Sequence, residues 1–138
     1  MKQSINLDFL GGMAFETELN GHKLYLDATE AVGGKDSGPR PKGLMMVALA
    51  GCTGMDVVSI LKKMRVEYDG LNIEVEGDLA EEHPKKYTAM KVIFKFKGKD
   101  LPMDKLQKAV DLSKERYCGV SANYVASFPV THEIVVEE

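Results

Sequence analysis

The chain has 138 residues, 44% of them hydrophobic, with 18 Lys and Arg against 21 Asp and Glu for a net charge of -3. That length suits one domain with a core of its own, so residues 1–138 are read as a single domain. The acidic balance, with no basic run, aromatic platform or zinc-finger spacing, argues against a nucleic-acid surface.

The first residues, MKQSINLDFLGGMAF, lack the charged-then-apolar pattern of a secretory signal. Ser4 to Leu10 and Met13 to Leu19 read as strands around Gly11-Gly12, and Asn20-Gly21 predicts a tight hairpin into a strand from His22 to Ala28. Glu30 to Arg40, EAVGGKDSGPR, has the Gly, Ser, Asp and Pro content of a mobile loop. Pro41 suits the first turn of a helix running to Met64.

That helix, PKGLMMVALAGCTGMDVVSILKKM, is apolar around nearly its whole circumference. Apart from Thr53, its polar residues form one stripe, Cys52, Asp56, Ser59 and Lys63, at i, i+4, i+7 and i+11. A helix apolar all round belongs in a core or an obligate interface, so its polar seam should face something particular. Leu44 to Leu61 approaches membrane-spanning length, but Asp56 and the Gly-Cys-Thr-Gly interruption favour a buried helix of a protein without a membrane partner. Gly51 and Gly54 flank Cys52 and are expected to thin the side-chain cover beside the sulfur.

Tyr68-Asp69-Gly70 is a turn. Leu71 to Leu79 and Tyr87 to Lys97 alternate as a long antiparallel hairpin, with Leu71, Ile73 and Val75 on one face and Met90, Val92, Phe94 and Phe96 on another. Pro102 to Cys118 reads as a second helix whose stripe is Leu106, Ala109, Val110, Ser113 and Tyr117, with Gly119 as a left-handed stop. A helical turn over Ser121 to Ser127 and a closing strand from Val130 to Val136 complete an α+β chain.

The chain carries two cysteines and no export signal, which points to a reducing cytoplasm and to redox-active thiols. Cys118, at a helix C-terminus, is expected to be the poorer nucleophile, because partial negative charge there disfavours a thiolate. Cys52 is then the thiol that strikes and Cys118 the one that condenses with its sulfenic acid. Asp56 would oppose a Cys52 thiolate, so a cation is needed, and Arg40 in the preceding loop is the candidate. A buried cysteine that merely packs is the bland alternative for Cys52, and a solvated loop charge is the one for Arg40. His22, His83 and His132 show no ligand spacing and read as surface or strand histidines.

A long apolar helix around AGCTG, a strand hairpin, and a second helix ending SKERYCGVSA together resemble the OsmC/Ohr family, the osmotically inducible protein C and organic hydroperoxide resistance proteins. The likeness runs from the first hairpin to the last strand and is nearest to the OsmC-like branch carrying the Ala-Gly-Cys-Thr-Gly segment. It implies an OsmC-like two-layer fold, with antiparallel sheets packed on two main helices, in an intertwined homodimer with active sites at the subunit interface. It also implies no organic cofactor and no metal. The implied activity is reduction of organic hydroperoxides, with Cys52 attacking the peroxide, Cys118 closing a disulfide, and an external dithiol reopening it. The studied peroxidases of the family carry a Glu ten residues before the first cysteine, where this chain has Lys42, and draw an Arg from the first hairpin, which here has none. A dimeric protein that holds a small apolar ligand beside Cys52, or a thiol redox sensor, therefore stands as the alternative.

Overall fold

A computed structural model describes residues 1–138, which form two compact units, Met1–Met45 and Met46–Glu138. The mixed α+β class is the expected one.

In the first unit, β1 (Leu7–Gly11), β2 (Ala14–Leu19) and β3 (His22–Leu26) form an antiparallel meander. Asn20 and Gly21 adopt φ of 53° and 82°, the left-handed pair that matches a two-residue turn to strand twist. The segment expected to be a mobile loop is instead tied down by one buried carboxylate. Asp27 accepts from the amides of Ala28, Lys35 and Ser37 and from the Ser37 hydroxyl, at 2.7–3.1 Å. Those bonds, led by the Ser37 hydroxyl, hold its carboxyl well below the usual carboxylate range. Gly34 serves close approach rather than flexibility, since a Cβ there would stand 2.0 Å from the Ala28 carbonyl oxygen.

The second unit pairs β4 (Gly70–Leu79), β5 (Tyr87–Lys97) and β6 (Val130–Glu137), with β5 central. The β4–β5 hairpin is antiparallel as predicted, and its register sets Leu71, Ile73 and Val75 opposite Phe96, Phe94 and Val92. Strand β6 runs parallel to β5, which places His132 beside Val92 and Ile134 beside Phe94 on the same face. Met90, Val92, Phe94 and Phe96 are buried, while Lys91 and Lys95 on the opposite face pair with Glu133 and Glu74.

Helix α1 (Leu44–Lys63) starts three residues later than expected, after a turn in which the Leu44 amide donates to the Pro41 carbonyl. Leu49, Thr53, Gly54, Val57 and Leu61 are its buried face. Within this chain the cover is one-sided: Val47, Met55 and Val58 stay 64%, 76% and 42% exposed. Length and composition alone would let α1 cross a membrane. Gly54 lets α1 approach β4, because a Cβ there would lie 2.6 Å from Ile73 Cδ1.

The second predicted helix is two helices. Helix α2 (Met103–Leu112) passes into a π-helical turn, Ser113–Tyr117, and α3 (Gly119–Val125) follows at once. Leu106, Ala109, Val110 and Ser113 are buried as the stripe required, but Tyr117 is 59% exposed. The π turn absorbs one extra residue, which rotates every later side chain by about 100°. Cys118 thereby takes the inward position that an uninterrupted α-helix would give Tyr117.

Candidate active site

The polar stripe of α1 faces the π turn. Asp56 Oδ2 accepts a 2.8 Å hydrogen bond from Ser113 Oγ, across 57 residues of sequence. The ligating atoms of Cys52, Asp56 and Cys118 all lie within 4.8 Å of one another. Both thiols are free, Cys52 half-buried and Cys118 only 3% exposed. Asp56, Ser59, Ile60, Lys63 and Tyr117 line a cavity of about 120 Å³ continuing along the same stripe. Lys63 lies along this cavity, further down the helix than the sulfur, as its position in the sequence requires.

Gly119 is not a left-handed stop. Cys118 closes the π turn, its amide donating to the Ser113 carbonyl, and at the same time N-caps α3, its Sγ accepting from the Ser121 amide at 3.2 Å. The helix-end argument is thereby reversed, since a helix N-terminus favours a thiolate. Burial outweighs it. Desolvation pushes the Cys118 thiol up to about 11, the neighbouring Cys52 adds to the rise, and the Ser121 N–H opposes it. Cys118 is therefore protonated at neutral pH, for a reason other than the one its place in the sequence suggested.

The two glycines beside Cys52 divide their roles. Gly54 makes room for Ile73, and a Cβ on Gly51 would meet nothing within 4 Å. Gly51 instead lines an open groove of about 820 Å³ with Val47, Met55 and Val58 of α1 and Leu71 and Ile73 of β4.

Arg40 lies in the first unit, its guanidinium held by Asp36 at 2.6 Å and by the Gly38 carbonyl at 2.8 Å. His22 and His83 are exposed. His132 is not a surface residue in its ring: both nitrogens are buried without a hydrogen-bond partner, and the ring stacks on Phe94. Ser113 and Ser121, which orient Asp56 and Cys118, were missed as site residues. The available signal was Ser113 itself, a hydroxyl inside an otherwise apolar stripe.

A family model described as OsmC-like protein matches residues 34–133. Protein YhfA of Escherichia coli K12 is 32% identical over 130 residues, covering 94% of this chain and 90% of its own. Among solved structures, a hypothetical protein from Aquifex aeolicus VF5 superposes with a TM-score of 0.85 at 28% identity, over 99% of this chain and 97% of that one. The organic hydroperoxide resistance protein OhrB of Bacillus subtilis shares the fold at 20% identity, with a TM-score of 0.60 over 98% of both chains.

Proposed function

Because the chain belongs to the OsmC-like protein family, we propose that it is a single-domain, cysteine-based peroxidase that reduces organic hydroperoxides in the cytoplasm. The observation that carries this reading is the meeting of Cys52, Asp56 and Cys118 within 4.8 Å, from helices far apart in the chain. The likeness in fold to a protein named for organic hydroperoxide resistance supports it.

In the reaction, the Cys52 thiolate attacks the outer oxygen of ROOH and the O–O bond breaks. The alkoxide leaves with a proton as the alcohol, and Cys52 becomes a sulfenic acid. The Cys118 sulfur then attacks the Cys52 sulfur and water leaves, carrying the Cys118 proton and the sulfenic oxygen. An external dithiol returns two electrons and restores both thiols. A half-exposed Cys52 beside a buried, protonated Cys118 suits this order, because the resolving thiol gives up its proton only when the sulfenic acid is in reach. The apolar groove along α1 and β4 is assigned to a second copy, giving a homodimer.

Thiol titration before and after one equivalent of cumene hydroperoxide tests the reading. Loss of both thiols per chain with release of cumyl alcohol is expected. Cys118→Ser should stop at a dimedone-reactive Cys52, and Cys52→Ser should be inert. Survival of both thiols would sink the peroxidase. An apolar ligand seen by native mass spectrometry, and retained by Cys52→Ser, would then favour a binding protein.

A further inference from the structure

We propose that the reduced Cys52–Asp56–Cys118 cluster binds one thiophilic divalent cation of the zinc class. Two thiolates and a carboxylate are a donor set suited to Zn²⁺, which takes sulfur at about 2.3 Å and carboxylate oxygen at about 2.0–2.2 Å. Donors on one tetrahedral Zn²⁺ stand roughly 3.3–3.8 Å apart by those bond lengths. The three ligating atoms here already lie within 4.8 Å, so small side-chain rotations close the set. Magnesium and calcium are excluded by the same chemistry, since they take six or more oxygen ligands and avoid thiolates.

Two further contacts act as the outer supports such sites need. Ser113 Oγ donates to Asp56 Oδ2 at 2.8 Å, fixing the carboxylate and leaving Oδ1 for a cation. The Ser121 amide donates to Cys118 Sγ at 3.2 Å, a bond that strengthens as the sulfur becomes anionic. Ser113 is buried, so its hydroxyl is committed to this geometry. On binding, Zn–S and Zn–O bonds form, each S–H bond that breaks sends its proton to solvent, and nothing is oxidised. A cation bound in this way occupies the lone pairs of both sulfurs, so it and a sulfur oxidant compete for the same site. The metal site requires only reduced thiols and Asp56, and it stands or falls independently of the peroxidase reading.

Anaerobic titration of the reduced full-length protein with Zn²⁺ against a chromophoric chelator, without peroxide, tests it. One tightly held Zn²⁺ per chain is expected, at least 100-fold weaker in Cys52→Ser and in Cys118→Ser and at least tenfold weaker in Asp56→Asn. Wild-type protein oxidised with diamide should bind none, a control that changes no residue. Co²⁺ should give thiolate charge-transfer absorption and the intense visible bands of a tetrahedral site. Wild-type affinity no better than Cys52→Ser, or unchanged in Asp56→Asn, would overturn the site.

Discussion

His132 couples the stability of the second unit to pH. Its ring nitrogens are buried without partners, and burial lowers its pKa from 6.5, with Lys114 adding to the fall and Asp111 opposing it. The folded state therefore holds the imidazole neutral. Above pH 6.5 both states are neutral and the group has no effect. As pH falls below 6.5 the unfolded chain takes up the proton first, and stability is lost until the folded-state pKa is reached. Urea unfolding at pH 7.5 and pH 5.5 should show this fall. His132→Leu, which removes the buried unpaired nitrogens, should flatten that part of the profile and be more stable at pH 5.5 by roughly 1 kcal/mol. An unchanged pH slope in the variant would assign the effect elsewhere. Asp27 shows the converse arrangement, a carboxylate so well supplied with donors that it organises a whole loop.

At the scale of elements, the approach of α1 to β4 depends on the missing side chain at position 54. In Gly54→Ala the new methyl meets Ile73 Cδ1 at 2.6 Å unless one of them moves. Overpacking of this kind costs about 1–3 kcal/mol, against about 1 kcal/mol gained in helix propensity. Net destabilisation of about 1 kcal/mol is expected from that balance. Ile73→Val removes the colliding methyl, so Gly54→Ala should cost little when made in that background, and the double variant should be about as stable as Ile73→Val alone. A double-mutant cycle by urea unfolding should give a coupling of roughly 1 kcal/mol, and strict additivity would refute the contact. The π turn acts at the same scale. One extra residue between α2 and Cys118 turns a tyrosine outward and a thiol inward, which is how the second sulfur reaches the first.

For the whole molecule, the apolar flank of α1 sets the expectation. Val47, Met55 and Val58 are exposed in one chain beside an open apolar groove, a combination that soluble monomers seldom keep. If a second copy covers it, Met55→Glu should convert a dimer to monomers in sedimentation velocity while far-ultraviolet circular dichroism stays unchanged. A wild-type chain that sediments as a monomer at micromolar concentration would remove the dimer.

The strands, the long hairpin and the polar seam on α1 were legible in the order of residues because periods of two and 3.6 are local properties. The sequence also singles out two thiols, and the fold brings them within 4.8 Å of each other. Three features were not local. The π turn arises where Cys118 must be buried, the Asp56–Ser113 bond joins residues 57 positions apart, and the cap on α3 exists only because the chain turns back at Cys118. Each depends on what packs against the segment rather than on its own preference. Burial, a property of the assembled core, therefore set the direction in which the Cys118 pKa moves, against the helix-end field.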